Sequence, residues 1–554
     1  MNTSQATIPV AAYLAARLRQ LGVEHLFGLP GDFNLALLDA MLDETGLTWV
    51  GSANELNAAY SADGYARTRG FGALVTTFGV GELSAINGVA GAYAESVPLV
   101  QITGTPATTA ARAGSLVHHS LADGDFGHFA RAYAEVTAAA EVLTEQNAAE
   151  QIDRVLSTAL RQSRPGYLGV PVDVAAAPVS ATRLAIPLRG GASDPDALAA
   201  FTAALAEHLR GAVPVTLLSG HLVGRRDLGS LVRRIADTGV ARVATLLGAK
   251  GLLDERHPAS LGVYIGGYTA DETTRHAVEN ATPLVVAGAV FSDLVTGMFT
   301  HDLDLTAAVV LDLHRARIGG ADFPGVELSD GLAALADLLD RAGRAPLPQR
   351  PASPPPPTVA TGPLTQAALW SVLQEWLPEG TPLLAEAGTA YYGAAELSLP
   401  AGSQLVGQPI WSSIGYTLPA VLGVALADPS RRPVLLIGDG AAQLSVQELA
   451  TIARAGAAPV VVVLNNAGYT VERAIRSPRA VYQDVTSWDW PKLAGALGGD
   501  RVAAATVHSA AELRAALTSA DPRRLTVVEV VLDRDDVPPL LAAVAAGLAT
   551  PTAR

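Results

Sequence analysis

The 554-residue sequence contains no cysteine. Disulfides, thiolate nucleophiles and cysteine-ligated zinc are therefore excluded. Basic residues are outnumbered, with 38 Lys and Arg against 53 Asp and Glu and a formal net charge of −15. That balance argues against nucleic acid or an anionic membrane surface as the main partner. It leaves room for a small anionic ligand, which responds to local charge only. No apolar run reaches membrane-spanning length. The N-terminal stretch lacks a basic start followed by an apolar core, so it does not read as a signal peptide. No membrane partner and a cytoplasmic location are the expectation. A dinucleotide fingerprint is missing too. Gly220-His221-Leu222-Val223-Gly224-Arg225 follows an apolar strand, but it is not a GxGxxG, and no acidic residue ends the next strand.

What is present is a strand-and-helix alternation along nearly the whole length, too long for one core. A helix over Val10 to Leu21 is followed by strands and helices at Glu24–Phe27, Leu47–Gly51, Asn54–Arg69, Gly72–Thr77, Glu82–Glu95 and Pro98–Thr103. This is the βαβ rhythm of a parallel doubly wound domain, closing near Pro171, with a linker-like composition over Ala176–Asp194. A second alternating unit spans strands near Pro214–Ser219, Arg242–Leu246, Leu284–Ala289 and Ala308–Asp312. Residues 343–363 are dense in proline, as an extended spacer requires. The expected division is 1–185, 195–342, the linker 343–363, and 364–554. The fold class is α/β, three doubly wound parallel-sheet domains.

The most informative stretch runs from Gly438 to Glu472. A strand over Pro433–Ile437 stops at Gly438-Asp439-Gly440, a helical stretch follows, and a second strand, Pro459–Leu464, stops at Asn465-Asn466. Polar residues thus sit where both strands end, and ligands of open parallel sheets bind beyond the carboxyl ends of strands. A carboxylate, an amide oxygen and a backbone carbonyl suit a hard divalent cation that keeps phosphate oxygens as its other ligands. The helix start after Gly440 favours phosphate charge.

Two further constellations lie in the first unit. Glu55, in Asn54-Glu55-Leu56-Asn57, stands at a loop-to-helix start, where a glutamate also stabilises the helix dipole. His118-His119 are adjacent, and neighbours on an extended segment point in opposite directions, which makes them a poor chelating pair. Joined to Asp32, in Gly31-Asp32-Phe33-Asn34, they read instead as groups that titrate near neutrality and relay protons.

The GDG and NN motifs at this spacing resemble those of thiamine diphosphate enzymes. Gly31-Asp32-Phe33-Asn34, Glu55 through Arg67, Thr76 through Ala85, His118-His119 and Asn465 through Glu472 resemble the motifs of the 2-keto acid decarboxylases, nearly end to end. The resemblance implies the thiamine diphosphate-binding fold in all three domains, with thiamine diphosphate and Mg2+ as cofactors. It implies Asp439, the Asn466 side chain and the Gly468 carbonyl as metal ligands, and Glu55 as the group that bonds and activates the aminopyrimidine. Thr389, Gly440, Ala441, Tyr469 and Thr470 would complete the cofactor site. Ile414 would wedge the cofactor into its bent form, with the Ser412 carbonyl and the Ile414 amide on the pyrimidine edge. Members of the family usually carry Gly where this chain has Ser412. Asp32, His118, His119 and Glu472 would be the catalytic acid–base groups. A homodimer at least, and a homotetramer, is likewise implied, with Glu55 and Asp439 of one site coming from different subunits.

The implied reaction is non-oxidative decarboxylation of a 2-keto acid to an aldehyde and CO2. Tyr391, Tyr392, Val471, Ile475, Leu540 and Val544 are the expected substrate pocket. Valine at 471 is one methylene smaller than the isoleucine of pyruvate-selective relatives, which points to branched-chain or aromatic substrates. A pyruvate-selective enzyme and a carboligase of the acetolactate synthase type are the alternatives. A flavin-containing relative is disfavoured by the poor turn at Gly220–Arg225.

Overall fold

The computed structural model describes residues 7–43, 46–212, 214–342 and 363–549. Except for Pro363, the proline-rich stretch 343–363 lies outside the described residues. The chain forms two compact units. One takes Met1–Gly190, Tyr416–Ser430 and Ser445–Ala457, and the other takes Gly191–Gly415, Arg431–Leu444 and Ala458–Arg554.

The first unit is built on a six-stranded parallel sheet. Its strands lie in the order Thr48–Gly51, His25–Gly28, Gly72–Thr77, Leu99–Thr105, Gly166–Pro171, Ala139–Val142. Helices cover both faces, so Gly72–Thr77 and Leu99–Thr105 are buried at every position, as parallel strands must be. The expected linker over Ala176–Asp194 is more structured than its composition suggests. Pro178–Ser180 pairs antiparallel with Thr7–Pro9, and a 3-10 turn follows over Ala181–Ala185. Next to it the buried Arg17 bonds Asp153 at 2.7 Å and the carbonyl oxygens of Arg183 and Ile186. The segment is thereby held by side-chain bonds that no periodicity reveals, and Ala177 and Val179 join the core beneath it.

The helix Glu55–Arg69 begins shortly after the strand Thr48–Gly51 and is buried along most of its length. Asn54 caps it, its side chain accepting from the Asn57 N–H at 2.8 Å, and Gly70 ends it at φ +94°. The helix Thr417–Ala427 crosses it so closely that Cβ atoms added at Gly64 or Gly423 would overlap the backbone of Ala420 or Ser61. Ser61 Oγ seals the crossing by donating to the Pro419 carbonyl at 2.9 Å.

The second unit contains two sheets. One is seven-stranded, in the order Ser260–Tyr264, Ala241–Leu246, Val215–Ser219, Leu284–Ala287, Val309–Asp312, Arg315–Ile318, Ala321–Pro324. Its first five strands are parallel, but the last two form an antiparallel edge. That edge departs from the expected all-parallel sheet: Arg315–Ile318 is exposed on alternate residues and Ala321–Pro324 has no buried residue, so neither carries the apolar run that marks a parallel strand. Gly220-His221 opens a five-residue helix directly after Val215–Ser219.

The other sheet is parallel and six-stranded: Gln404–Val406, Pro382–Ala385, Val434–Gly438, Val460–Asn465, Leu525–Val531, Val502–Val507. Numbered along the chain, its strands lie in the same 2-1-3-4-6-5 order as those of the first unit. The helical stretch expected after Gly440 is two helices, Asp439–Gln443 and Glu448–Arg454, and the second of them belongs to the first unit.

Candidate active site

In the first unit Asp32 and Glu55 follow strand ends, while His118 and His119 lie in the loop after the short helix Thr108–Arg112. Asp32 follows His25–Gly28, Glu55 follows Thr48–Gly51, and the turn at Phe78-Gly79 follows Gly72–Thr77. Asp32 Oδ2 lies 2.7 Å from His118 Nε2, and Asp32 Oδ1 lies 4.0 Å from His119 Nε2. The expectation that the two histidines diverge is corrected. His119 takes φ +63°, a left-handed turn that swings both imidazoles to one side, with ring centroids 4.5 Å apart. Phe33 stacks on His118 at 4.9 Å and meets His119 edge-on, so the rings are braced in place.

The turn after Gly72–Thr77 joins these groups to Glu55. Gly79 sits at φ +63°, and any Cβ there would overlap the His119 carbonyl oxygen. A Cβ on Gly81 would lie 3.2 Å from Glu55 Oε1. The turn is anchored by Glu82, which is fully buried. Glu82 Oε1 accepts from the Gly79 N–H and Oε2 accepts from the Tyr167 hydroxyl, both at 2.8 Å, while Tyr133 donates to its carbonyl oxygen. Burial pushes its carboxyl up to about 7, and the bonds from Gly79, Tyr167 and Thr103 pull the other way. Sequence reasoning missed Glu82, although a glutamate three residues beyond Gly79 has the spacing of a helix-capping acid. It also missed the buried Glu448. That carboxylate accepts the Ala53 N–H on both oxygens at 3.2 Å and so fixes the loop that leads to Glu55. Its pKa is raised by burial.

In the second unit, a cavity of about 310 Å³ opens at the strand ends of the third sheet. Thr389, Ser412, Ile414, Gly440, Ala441, Asn466, Gly468, Tyr469 and Thr470 line it, as do Tyr392, Val471, Glu472 and Ile475. Tyr391, Leu540 and Val544 do not. All three are buried in the hydrophobic core beside this sheet. Tyr391 and Tyr392 are consecutive on the helix Thr389–Glu396, about 100° apart around its axis, and of the two only Tyr392 lines the cavity. Leu294, Met298 and Leu548 supply the apolar wall instead. They come from a loop and the last helix, where isolated apolar residues carry no signal. Ser412 occupies φ +54°, a region where glycine is free of strain, and its hydroxyl donates to the Gln408 carbonyl at 3.0 Å.

Asp439 is 2% exposed, and burial raises its carboxyl to about 6 despite bonds from the Gly440 and Gly468 N–H groups. One end of the Asn466 carboxamide lies 3.3 Å from Asp439 Oδ1 and 2.8 Å from the Gly468 carbonyl oxygen. With NH2 at that end, these are hydrogen bonds. With the amide oxygen there, three oxygens converge, and only a cation makes that arrangement favourable. The donor set therefore fits a hard divalent ion. Arg473, also missed, holds this loop from behind. It is 3% exposed and donates to the carbonyl oxygens of Asn466, Ala467 and Gln483 and to Asp484 Oδ1 at 2.6–3.1 Å.

No helix among the described residues is long and apolar enough to cross a membrane. Three domain families match the chain: thiamine pyrophosphate enzyme, N-terminal TPP binding domain, over residues 8–125; the central domain over 202–337; and the C-terminal TPP binding domain over 386–530. Curated relatives are similar from end to end. The alpha-keto-acid decarboxylase of Mycobacterium ulcerans is 46% identical over 559 residues, which cover 100% of this chain and 98% of the relative. Those of Mycolicibacterium paratuberculosis and Mycobacterium avium are each 47% identical, over 547 and 549 residues and 97% of both partners. With every domain matched and the strand-end residues in place, the chain belongs to the thiamine diphosphate-dependent 2-keto acid decarboxylases.

Proposed function

We propose that this enzyme converts a branched-chain or aromatic 2-keto acid to the corresponding aldehyde and CO2, with Mg2+ beside its thiamine diphosphate. The carrying observation is one cavity lined by Gly440, Asn466 and Gly468 together with the apolar side chains of Met298, Val471 and Ile475, with the buried Asp439 carboxylate 3.3 Å from the Asn466 carboxamide. Thiamine diphosphate, when bound, supplies the electron sink for the bond to the leaving carboxylate.

The chain's own residues then have separable tasks. Asp439, Asn466 and the Gly468 carbonyl hold Mg2+, and Thr389, Gly440, Ala441, Tyr469 and Thr470 hold the diphosphate end. Ile414 and the Ser412 carbonyl seat the rings. Glu55 shares a proton with the aminopyrimidine. Glu472 stands by the substrate carboxylate, and Asp32, His118 and His119 hold and deliver the proton that completes the aldehyde. Tyr392, Val471 and Ile475, with Met298 and Leu548, exclude water and set the size of the side chain accepted.

The active assembly we propose is a homodimer at least, and a pair of dimers, in which the Glu55 half-site of one chain serves the Asp439 half-site of another. Large apolar side chains exposed in the single chain on both halves support this, among them Leu116 at 70%, Leu121 at 59%, Leu444 at 53% and Ile414 at 37%. The domain limits we assign are 1–185, 195–342 and 364–554, joined at 343–363.

A coupled aldehyde assay across pyruvate, 3-methyl-2-oxobutanoate, phenylpyruvate and indolepyruvate tests the reading. Aldehyde from the larger acids, in preference to pyruvate, is expected; no aldehyde from any of the four overturns it. Glu55→Gln is expected to abolish most turnover while cofactor binding stays measurable.

A further inference from the structure

We propose that Asp32, His118 and His119 form a second metal site, taking Zn2+ or a similar transition ion and switching the enzyme off when filled. Their ligand atoms all lie within 4.8 Å of one another. Around a tetrahedral ion with bonds of about 2.0–2.1 Å, ligand atoms stand roughly 3.3 Å apart. His118 Nε2 sits 2.7 Å from Asp32 Oδ2 and has to draw back slightly, while His119 Nε2 sits 4.0 Å from Asp32 Oδ1 and has to approach by a similar amount, with the carboxylate turned toward the ion between them. Both are small side-chain moves, and in the single chain the Asp32 and His118 side chains are 50% and 60% exposed.

The scaffold already does most of the orienting. The left-handed turn at His119 puts both imidazoles on the Asp32 side, and Phe33 braces both rings. Asn34, fully buried, accepts the Gly31 N–H at 2.9 Å and donates to the Leu29 carbonyl, which fixes the loop under Asp32. Two imidazoles and a carboxylate with open remaining positions suit Zn2+, Co2+, Ni2+ or Cu2+ and are a poor match for Mg2+. The oxygen-only set at Asp439 has the opposite preference. The two sites therefore sort two classes of metal.

Filling the site breaks the His118–Asp32 hydrogen bond, the proton of the neutral imidazole moving to Nδ1 of the same ring, and commits one lone pair of each imidazole to the ion. The three groups assigned to proton delivery are then unavailable. Binding follows from geometry alone, and only the inhibition rests on the proposed function.

The test is titration of the full-length enzyme with CoCl2 in thiamine diphosphate and excess Mg2+, followed by visible absorption. Intense bands of low-coordinate Co2+, saturating at one ion per chain and bleached by Zn2+, are expected. His118→Ala and His119→Ala should each weaken binding by at least ~10-fold, whereas Asp439→Asn keeps the bands. Zn2+ should raise the melting temperature of the wild-type chain and leave the two histidine variants unshifted. Absence of bands, bands indifferent to both histidine substitutions, or bands lost in Asp439→Asn alone would overturn the site. Bands without loss of decarboxylation would instead refute the proton-delivery roles of these residues.

Discussion

Arg473 donates from Nη1 to the carbonyl oxygen of Asn466 at 2.9 Å, so a buried guanidinium grips the backbone of the residue whose carboxamide faces Asp439. The same group reaches Ala467, Gln483 and Asp484. Lysine has one ammonium and cannot span these acceptors, which a planar fork of five donors can. Arg473→Lys is therefore expected to weaken Mg2+ and cofactor binding by ~10–100-fold, the usual cost of losing a group that orients a ligand. At saturating cofactor, kcat should recover most of its value. Calorimetric titration of Mg2+ and thiamine diphosphate into the variant checks this, and unchanged affinity would remove Arg473 from the site.

Gly79 and His119 make an equally direct contact. The left-handed φ of Gly79 and the overlap any Cβ would make with the His119 carbonyl leave no room for alanine. Gly79→Ala must push the turn away from His119, and a misplacement of an ångström at a reacting group costs about 100-fold in rate. The expected outcome is a fall of that order in kcat/KM, with cofactor affinity retained because the Asp439 half-site is untouched. Steady-state kinetics beside a cofactor titration separate the two effects.

Glu82 carries a pH signature. Burial raises its carboxyl from 4.5 to about 7, so between those values the folded chain holds a proton that the unfolded chain has released. Unfolding free energy then falls as pH rises through the window. The contribution is fully present below about 4.5 and gone above about 7, and it amounts to about 3 kcal/mol for this fully buried group. Glu82→Gln stays neutral throughout. Urea unfolding measured from pH 5 to 8 should show wild-type stability dropping relative to the variant, and parallel curves would contradict the assignment.

Much of this was legible in the sequence because strands ending in Gly-Asp-Gly or Asn-Asn announce themselves by apolar runs and abrupt polarity. Asp439 and Asn466 stand out that way, and the structure puts both directly at strand ends, whereas Glu55 alone reads as a helix-dipole residue and gains its role only through the family resemblance. The 2-1-3-4-6-5 order shared by two sheets was not legible, since periodicity marks strands but not their neighbours. His118 and His119 were misjudged because extended geometry was assumed, whereas a single left-handed residue reverses the direction of a side chain. Arg473 and Glu448 were invisible for a different reason. A charged residue next to a helix start reads as solvent-facing, and only the carbonyl and N–H groups brought to it by distant segments make its burial tolerable. Leu540 and Val544 sit at helical spacing, which fits a core or a pocket wall equally well.

That last ambiguity yields a direct experiment, because Val471 and Leu540 answer to different physics. Val471 lines the cavity, so adding a methylene with Val471→Ile takes space from the substrate. It should lower kcat/KM for phenylpyruvate relative to pyruvate by about 10-fold or more, within the 1–3 kcal/mol that one methylene discriminates, and leave stability nearly unchanged. Leu540, 7% exposed and packed in the core with Val544, touches no part of that cavity. Leu540→Ala should cost about 2–5 kcal/mol of stability through the void it leaves, and the ratio of kcat/KM between the two acids should hold. Kinetics on both acids, set beside urea unfolding of both variants, decide the matter. A Leu540→Ala enzyme that kept its stability but changed its substrate ratio would return Leu540 to the pocket.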